Sequence, residues 1–231
     1  MVTHTPPEEL LFDYAAGTLP EPLALFVASH LTFAPQSRRT VRELEAVGGT
    51  MLTDIEPASM SDDALDRMMQ RLDADGASGS GAVADTAMPY GPTPGPATGH
   101  ARTSNGMPGV LKRYIHTDDW AALPWRERSS SIREYKLLDD QQGYKTRLLR
   151  LAGNTAVPEH THEGSEYTLC LEGGFVDAGR EYWPGDVSVA DGEVDHAPVA
   201  VADGCTCLIV TTAPLRMTGP VGRFLNLFVD M

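Results

Sequence analysis

Apolar residues recur at helical spacing through the first 75 residues of the chain, which predicts a run of short helices. The first of these carries Leu10, Leu11, Tyr14 and Ala15, and Gly17 is expected to end it. A second helix opens at Pro20 or Pro22, and a third runs from about Pro35 to Val47. Gly48 and Gly49 are predicted to stop the third helix.

A fourth helix is predicted after Ser59 or Ser61, either of which is a suitable N-cap residue. Its apolar stripe is formed by Leu65, Met68, Met69 and Leu72. Two interpretations of this stripe stand side by side. It either packs into the core of the helical segment or presents a face to a partner protein.

The pattern changes twice after the helices. Residues 76–109 are rich in glycine, serine and proline and have almost no apolar periodicity, which predicts a linker. Residues 110–231 alternate short apolar runs with turn residues, which predicts a closed β-sandwich or barrel. The predicted strands are Ser131–Leu138, Tyr144–Leu151, Glu166–Leu171, Phe175, Asp186–Val189, Val199–Val201 and Cys205–Thr211. We therefore expect a multidomain α + β chain with domains at 1–75 and 110–231.

Charge and composition restrict the partners. The net charge of −14 disfavours direct binding of nucleic acid, although a basic protein partner remains compatible with it. The N-terminus has no signal-peptide pattern, and no apolar run is long enough to span a membrane. Three cysteines cannot build a disulfide framework. The expected location is therefore the cytoplasm, without membrane attachment.

Four side chains in the strand-rich half are arranged as metal ligands. His160 and His162 share one face of a predicted strand, and Glu166 has the same parity. His196 arrives from a second strand. Three imidazoles and one carboxylate suit one divalent ion of zinc, iron, manganese or nickel.

The three cysteines are open to two interpretations. Cys205 and Cys207 share a strand face, and Cys170 has the parity of Glu166, which places it in the interior near the metal. They are either small buried apolar residues or candidate sensing thiols.

Two motifs in this half resemble those of the cupin superfamily. The stretch Gly153-x6-His160-x-His162-x3-Glu166-x6-Gly173 is similar to the first motif, and Pro184-Gly185-Asp186 leading to His196 is similar to the second. The resemblance implies a double-stranded β-helix barrel whose metal ligands are the four residues named above. The alternative is a barrel that keeps the pattern but binds no metal. The second motif ends in Asp191-Gly-Glu-Val-Asp-His196, a departure that affects turn shape.

The helical half resembles the anti-sigma domain of ChrR-type proteins, which join a zinc-binding helical domain to a C-terminal cupin. The similar segments are Leu11–Leu19, Val27–Leu31 and Leu44–Gly49, with Thr211–Leu215 echoed near the end of the chain. The resemblance therefore covers nearly the whole chain.

One departure from that family concerns the helical domain. Zinc-binding anti-sigma domains carry a His-x3-Cys-x2-Cys motif, and here His30 is followed by Ala34 and Ser37. Neither can supply a thiolate, and His4 adds at most a second imidazole. We therefore expect no zinc in this half. His30 is then interpreted as a cation placed favourably at a helix C-terminus.

The resemblance implies an anti-sigma factor, not an enzyme. Residues 1–75 would sequester an extracytoplasmic-function sigma factor, with Leu65, Met68, Met69 and Leu72 as the contact face. The cupin would sense an oxidative signal, singlet oxygen or organic peroxide. The alternative is a metal-dependent, dioxygenase-like cupin enzyme with an accessory helical module. A third hypothesis is that the domain without cysteines has drifted away from sigma binding.

The apolar C-terminal segment, residues 224–228, is also open to two interpretations. It either forms the last barrel strand or contributes a contact to a homodimer.

Overall fold

The computed structural model describes residues 2–77, 106–117, 119–140, 143–213 and 215–217. His100, most of the predicted linker and the apolar segment 224–228 lie outside these ranges. The helices are α1 Glu8–Ala15, α2 Glu21–Phe33, α3 Pro35–Thr53, α4 Ala64–Ala77 and the short α5 Lys112–Ile115, with 3-10 turns at Gly109–Leu111 and Trp120–Ala122. The four N-terminal helices appear where the sequence predicts them, and Gly17 follows α1 with a positive φ of 71°.

The predicted end of α3 is wrong. The helix continues through Gly48 and Gly49 to Thr53, and Asp54 follows it. A glycine ends a helix when it adopts a positive φ, and neither of these two does so. Within a helix each glycine costs only about 1 kcal/mol relative to alanine, which the rest of a 19-residue helix can offset.

The described residues of the second half form nine antiparallel strands. They are β1 Arg126–Glu127, β2 Ile132–Lys136, β3 Lys145–Leu151, β4 His160–His162, β5 Glu166–Asp177, β6 Arg180–Tyr182, β7 Val187–Ala190, β8 Val199–Thr211 and β9 Leu215–Met217. The larger sheet has the order β1-β2-β3-β8-β5-β6, with β7 also paired to β5, and β4 pairs with β9. The expected all-β half is confirmed.

Two pairs of predicted strands are each one continuous strand. Glu166–Leu171 and Phe175 both lie in β5, and Val199–Val201 and Cys205–Thr211 both lie in β8. Glycine pairs and an Asp-Gly step suggest turns in the sequence, but the structure accommodates them by register shifts between β5 and β8. Such β-bulges bend a strand without ending it.

The central strands β3, β5 and β8 direct their side chains into two different environments. On one face, Leu148, Leu169 and Leu208 join a single apolar cluster with helix residues such as Phe26 and Leu31. On the other face, the opposite parity of the same strands lines the barrel interior. One layer of sheet therefore separates the helical half from the barrel interior, and we call β3, β5 and β8 the shared wall.

None of the helices in the described part of the chain is both long and apolar enough to cross a membrane.

Candidate metal centre

The four predicted ligands converge. His160, His162, Glu166 and His196 are all buried, and one ligand atom from each lies within 4.8 Å of the others. His160 and His162 are the ends of β4, and Glu166 begins β5. His196 is held opposite His160 by two backbone hydrogen bonds, of 3.1 and 3.0 Å between N and O. Three imidazoles and a carboxylate therefore surround one point. Strand parity accounts for His160 and His162, whereas Glu166 comes from the separate strand β5 and His196 from an isolated bridge to His160.

The geometry inside this group fits a cation. The Nε2 atoms of His162 and His196 are 3.1 Å apart, and His162 Nε2 lies 3.6 Å from a carboxylate oxygen of Glu166. Two neutral nitrogens at that separation direct lone pairs at one another unless a proton or a metal ion lies between them. Three imidazoles and one carboxylate are a donor set that divalent zinc, iron, manganese and nickel all accept.

The outer nitrogens of two ligands are held by the protein. Nδ1 of His160 donates to the carbonyl oxygen of Pro158 at 2.7 Å, and Nδ1 of His196 donates to Oδ2 of Asp177 at 2.8 Å. These bonds fix the ring orientations and leave each Nε2 free to act as a ligand. Asp177 was not recognised from sequence, because it lies at the far end of β5 and only the structure brings it to His196.

Burial and the neighbouring Asp177 shift the pKa values of the four ligands. It lowers the pKa of His160, and it lowers that of His162 to about 4, with the neighbouring imidazoles adding to the effect. Burial raises the pKa of Glu166. Burial also acts to lower the pKa of His196, but the hydrogen bond and charge of Asp177 outweigh it and leave that pKa raised. His160 and His162 are therefore neutral at pH 7, which is the form of an imidazole that binds a metal.

Replacing Asp177 by asparagine tests this outer support. We expect Asp177→Asn to weaken metal affinity by about 10- to 100-fold, because the amide removes the charge that orients and polarises His196. Competition with a chromogenic chelator measures the change. Glu181→Gln, an exposed change on β6, serves as the control and should leave the affinity unaltered. Equal affinities for Asp177→Asn and the native chain would contradict this role.

The three thiols form a second group in the interior. Cys170 lies opposite Cys207 in the β5–β8 register, and all three cysteines are buried. A hydrogen bond from Cys207 lowers the pKa of Cys205, while bonds to Cys170 and Cys205, together with burial, raise the pKa of Cys207. Cys205 therefore forms a thiolate more readily than Cys207.

Leu65, Met68, Met69 and Leu72 lie on α4, and each of these side chains is at least 51% exposed. Their stripe is therefore not packed into the core, which contradicts the first of the two interpretations. The second, a face for a partner, is the one compatible with this exposure.

Comparison with known proteins shows the family to which this chain belongs. The domain family described as the ChrR cupin-like domain matches residues 113–215. The anti-sigma-E factor ChrR of Cereibacter sphaeroides is 33% identical over 230 residues, covering 98% of both chains. The chain belongs to the ChrR family of anti-sigma factors.

A solved structure supports the same relationship. The crystal structure of Rhodobacter sphaeroides SigE in complex with the anti-sigma ChrR matches with a TM-score of 0.71 and 29% identity. The match covers 91% of this chain and 99% of that one. The predicted cupin fold and ChrR-type architecture are confirmed. Membership in a family of regulatory proteins also favours the anti-sigma prediction over the dioxygenase-like alternative.

In this ChrR-family chain, His30 joins the helical half to the barrel. It is fully buried; Nδ1 donates to the carbonyl oxygen of Gly185 at 2.8 Å, and Nε2 accepts from Oγ of Ser37 at 2.9 Å. The serine at the position of the second motif cysteine is thus a direct partner of the histidine. Both ring nitrogens are engaged by protein atoms. The expectation that this half holds no zinc stays a prediction.

The interpretation of His30 as a cation at a helix end is wrong. Burial lowers the pKa of His30 to about 4, against the opposing hydrogen bond to Gly185 and the charge of Asp186. The ring is therefore neutral at pH 7. A charged imidazole would lose its hydration on burial, and the helix C-terminus does not compensate for that loss.

The turn at residues 184–186, in the second cupin-like motif, also binds the N-terminal residues of the chain. Oδ1 of Asp186 accepts hydrogen bonds from the backbone amides of Thr3 and His4, and its Oδ2 accepts one from Trp183. The turn also exchanges backbone bonds with Cys170, at 2.9 and 3.1 Å between N and O. The turn therefore contacts the helical half on one side and the strand carrying Cys170 on the other.

The depressed pKa of His30 predicts a pH dependence of stability. The unfolded chain takes up a proton near pH 6.5, whereas the folded chain resists protonation down to about pH 4. Stability from this residue is complete above pH 6.5 and is lost as the pH falls towards 4, by about 3 kcal/mol. Urea unfolding between pH 7.5 and 4.5 measures the slope, which should be shallower in His30→Gln. A Ser37→Ala variant, which keeps the titrating ring, should retain the slope; identical slopes in the native chain and His30→Gln would contradict the argument.

Proposed function

We propose that the chain is an anti-sigma factor that sequesters an extracytoplasmic-function sigma factor through its helical half. The observation that carries the proposal is the exposed apolar face of α4 in a chain related over nearly its whole length to an anti-sigma factor. Four large apolar side chains on one helix face are unfavourable in water and favourable against a partner. The related ChrR is solved in complex with SigE.

The second half of α3 carries further exposed apolar side chains. Val47, Met51 and Leu52 are each more than 60% exposed. Sequence reasoning missed them because Gly48 and Gly49 were predicted to end the helix. Apolar residues four and five positions apart across the glycines were the signal that the helix continues. The exposed apolar side chains of the helical half that we call the apolar surface are these three together with Leu65, Met68, Met69 and Leu72.

Charge supports a protein partner over DNA. Residues 1–75 contain 13 acidic and 5 basic side chains, a net charge of −8. Such a field attracts a basic protein surface and repels phosphate, so sequestration would compete with the binding of the sigma factor to its nucleic-acid target. The division of the chain into an anti-sigma domain at 1–75, a linker at 76–109 and a cupin domain at 110–231 belongs to this proposal.

The cupin half would be the sensor. His160, His162, Glu166 and His196 would hold one divalent ion, with zinc the expected metal and iron, manganese and nickel as alternatives. A bound zinc would tie β4, β5 and the His196 turn together. Cys170, Cys205 and Cys207 are the candidate sensing thiols. An organic peroxide that reaches Cys205 would be reduced to an alcohol while the thiol becomes a sulfenic acid.

The shared wall offers a direct route from the sensor to the helices. The Cys205 and Cys207 side chains project to the barrel interior, while Leu208 and Val210 on the same strand pack in the cluster that contains α2. Phe26 of α2 also meets Tyr167 of β5 edge to face, with ring centroids 6.0 Å apart. Oxidation that distorts β5 or β8 would displace the side chains that pack directly against α2. This displacement would release the sigma factor.

Co-expression tests the proposal. The full chain, tagged at one end, is expressed with the sigma factor encoded next to it. We expect the two to co-purify as a stable 1:1 complex by mass measurement. A chain that is folded and metal-loaded yet retains no sigma factor would contradict the proposal and would favour the hypothesis that the helical domain has drifted away from sigma binding.

A further inference from the structure

The barrel interior contains a cavity that the side chains of the protein do not fill. Its volume is about 310 Å³, and the metal ligands His160, Glu166 and His196 form one part of its wall. At about 30 Å³ for each water, the space holds about ten molecules, which is at the lower end of the range for ligand pockets. The apolar part of the wall includes Ile132, Leu149, Val157, Phe175, Pro198 and Ile209.

The two faces of the shared wall differ in how completely their side chains are packed. Leu148 and Leu208, in the cluster that contains the helices, are both 0% exposed. Their chain neighbours Leu149 and Ile209 line the cavity and are only partly buried. Aliphatic side chains cannot form hydrogen bonds with the water beside them, so an apolar molecule that displaces this water is stabilised.

Charged side chains of both signs in the wall are paired with one another. Arg128 and Arg147 both bind the carboxylate of Glu134, and Nδ1 of His196 donates to Asp177 at 2.8 Å. Two atoms of this set have no hydrogen-bond partner among the described residues, Nη1 of Arg147 and Oδ1 of Asp177. Both have almost no accessible surface, so a molecule in the cavity does not reach them. An ionised ligand would therefore lose its hydration without gaining an ion pair from these residues, and this penalty favours an uncharged ligand.

The lining of the cavity is long in the direction of the strands. The inward positions of β3 run from Arg147 through Leu149 to Leu151, and each lies opposite a lining residue of β8. The steps from the first to the last of these positions cover about 13 Å along an antiparallel strand. A chain-like molecule therefore contacts more of this lining than a compact ring of the same number of atoms.

We propose that this cavity binds an uncharged, chain-like apolar molecule of about ten non-hydrogen atoms. The chain contacts Leu149, Ile209 and Phe175, and burial of their exposed aliphatic and aromatic surface supplies the affinity. The paired charges of the wall supply the selectivity, because they leave an ion without a partner. The inference rests on the proposed sensing function for its biological meaning, since the cavity wall carries both metal ligands and thiols.

Octanol, octanoate and octylammonium are matched probes, because they share one alkyl chain and differ in charge. Each is titrated into the full chain by calorimetry at neutral pH. We expect saturable binding of one octanol per chain, at least about tenfold tighter than the binding of either ion. Absence of saturable octanol binding, or binding of either ion as tightly as octanol, would overturn the assignment.

Ile209→Phe tests the location of the bound probe. The larger ring occupies part of the cavity and should weaken octanol binding by about tenfold or more. Val189→Phe is the matched control, because Val189 on β7 is 44% exposed and lies outside the cavity lining, and it should leave octanol binding unchanged. Equal octanol affinity in the native chain and Ile209→Phe would place the probe elsewhere, for example on the apolar surface, and would overturn the assignment.

The outcome remains decisive if Ile209→Phe does not fold, which circular dichroism detects, because the order of the three affinities in the native chain then tests the assignment alone. The inference and the anti-sigma proposal can also fail separately. Absent octanol binding with sigma capture intact would contradict only the inference, and octanol binding without sigma capture would contradict only the anti-sigma proposal.

Discussion

Replacing Met68 and Leu72 together by aspartate is expected to weaken sigma capture by about 1,000-fold or more. Each of these side chains would be buried at the interface, and truncation of a central apolar anchor typically costs about 2 kcal/mol or more. A carboxylate adds the penalty of burying an unpaired charge. Two such changes therefore correspond to about 4 kcal/mol or more, so that the 1:1 complex should no longer survive gel filtration.

The opposite face of α4 supplies the matched control. Gln70→Asp with Ala74→Asp adds the same charge to the same helix, but at positions more than 90° around the axis from the apolar surface. This variant should bind nearly as the native chain does. If both double variants lost binding equally, charge alone would explain the effect, and the proposed face would be wrong.

Loss of two metal ligands is expected to remove the metal. His162→Gln with Glu166→Gln leaves two imidazoles, which are too few for a stable site, so metal content should fall from about one ion per chain to below about 0.1. Both replacements preserve side-chain volume approximately, and they remove ligand atoms from a fully enclosed position. Elemental analysis of protein purified without added metal measures the change.

His116→Asn is the control for this experiment. His116 is exposed and has a left-handed backbone with φ of 52°, a conformation that asparagine tolerates well. Its metal content should equal that of the native chain. A full metal load in the double ligand variant would show that the ion is held elsewhere and would contradict the assignment of the four ligands.

Part of the metal-ligand group was predictable from strand parity. His160 and His162 lie on one strand, β4, and a period of two puts them on one face. Glu166 begins a separate strand, β5, so its position beside them depends on the turn between the two strands and not on a continuous alternation. His196 was expected to arrive from a second strand, and the structure holds it through an isolated bridge to His160. Asp177 could not be found in the same way, because its contact with His196 depends on how β5 continues across two glycines that the sequence suggests as a turn.

The junction between the halves was not predictable from sequence. His30 looks like a residue near a helix end, and a helical periodicity does not show which fold element will cover it. Its burial follows from the Gly185 turn, where an added Cβ would lie 2.5 Å from the Cβ of Phe33. That close approach is a property of two segments about 150 residues apart. The length of α3 was also mispredicted. The helix continues through Gly48 and Gly49, although glycine on its own disfavours a helix.

Transcription in a purified system tests the anti-sigma account most directly. The full chain is first titrated into the neighbouring sigma factor. RNA polymerase core enzyme and a promoter that this sigma factor recognises are then added. The account predicts that transcript falls in proportion to the added chain and reaches background near one chain per sigma factor. Undiminished transcription at a tenfold molar excess of folded, metal-loaded chain would contradict it.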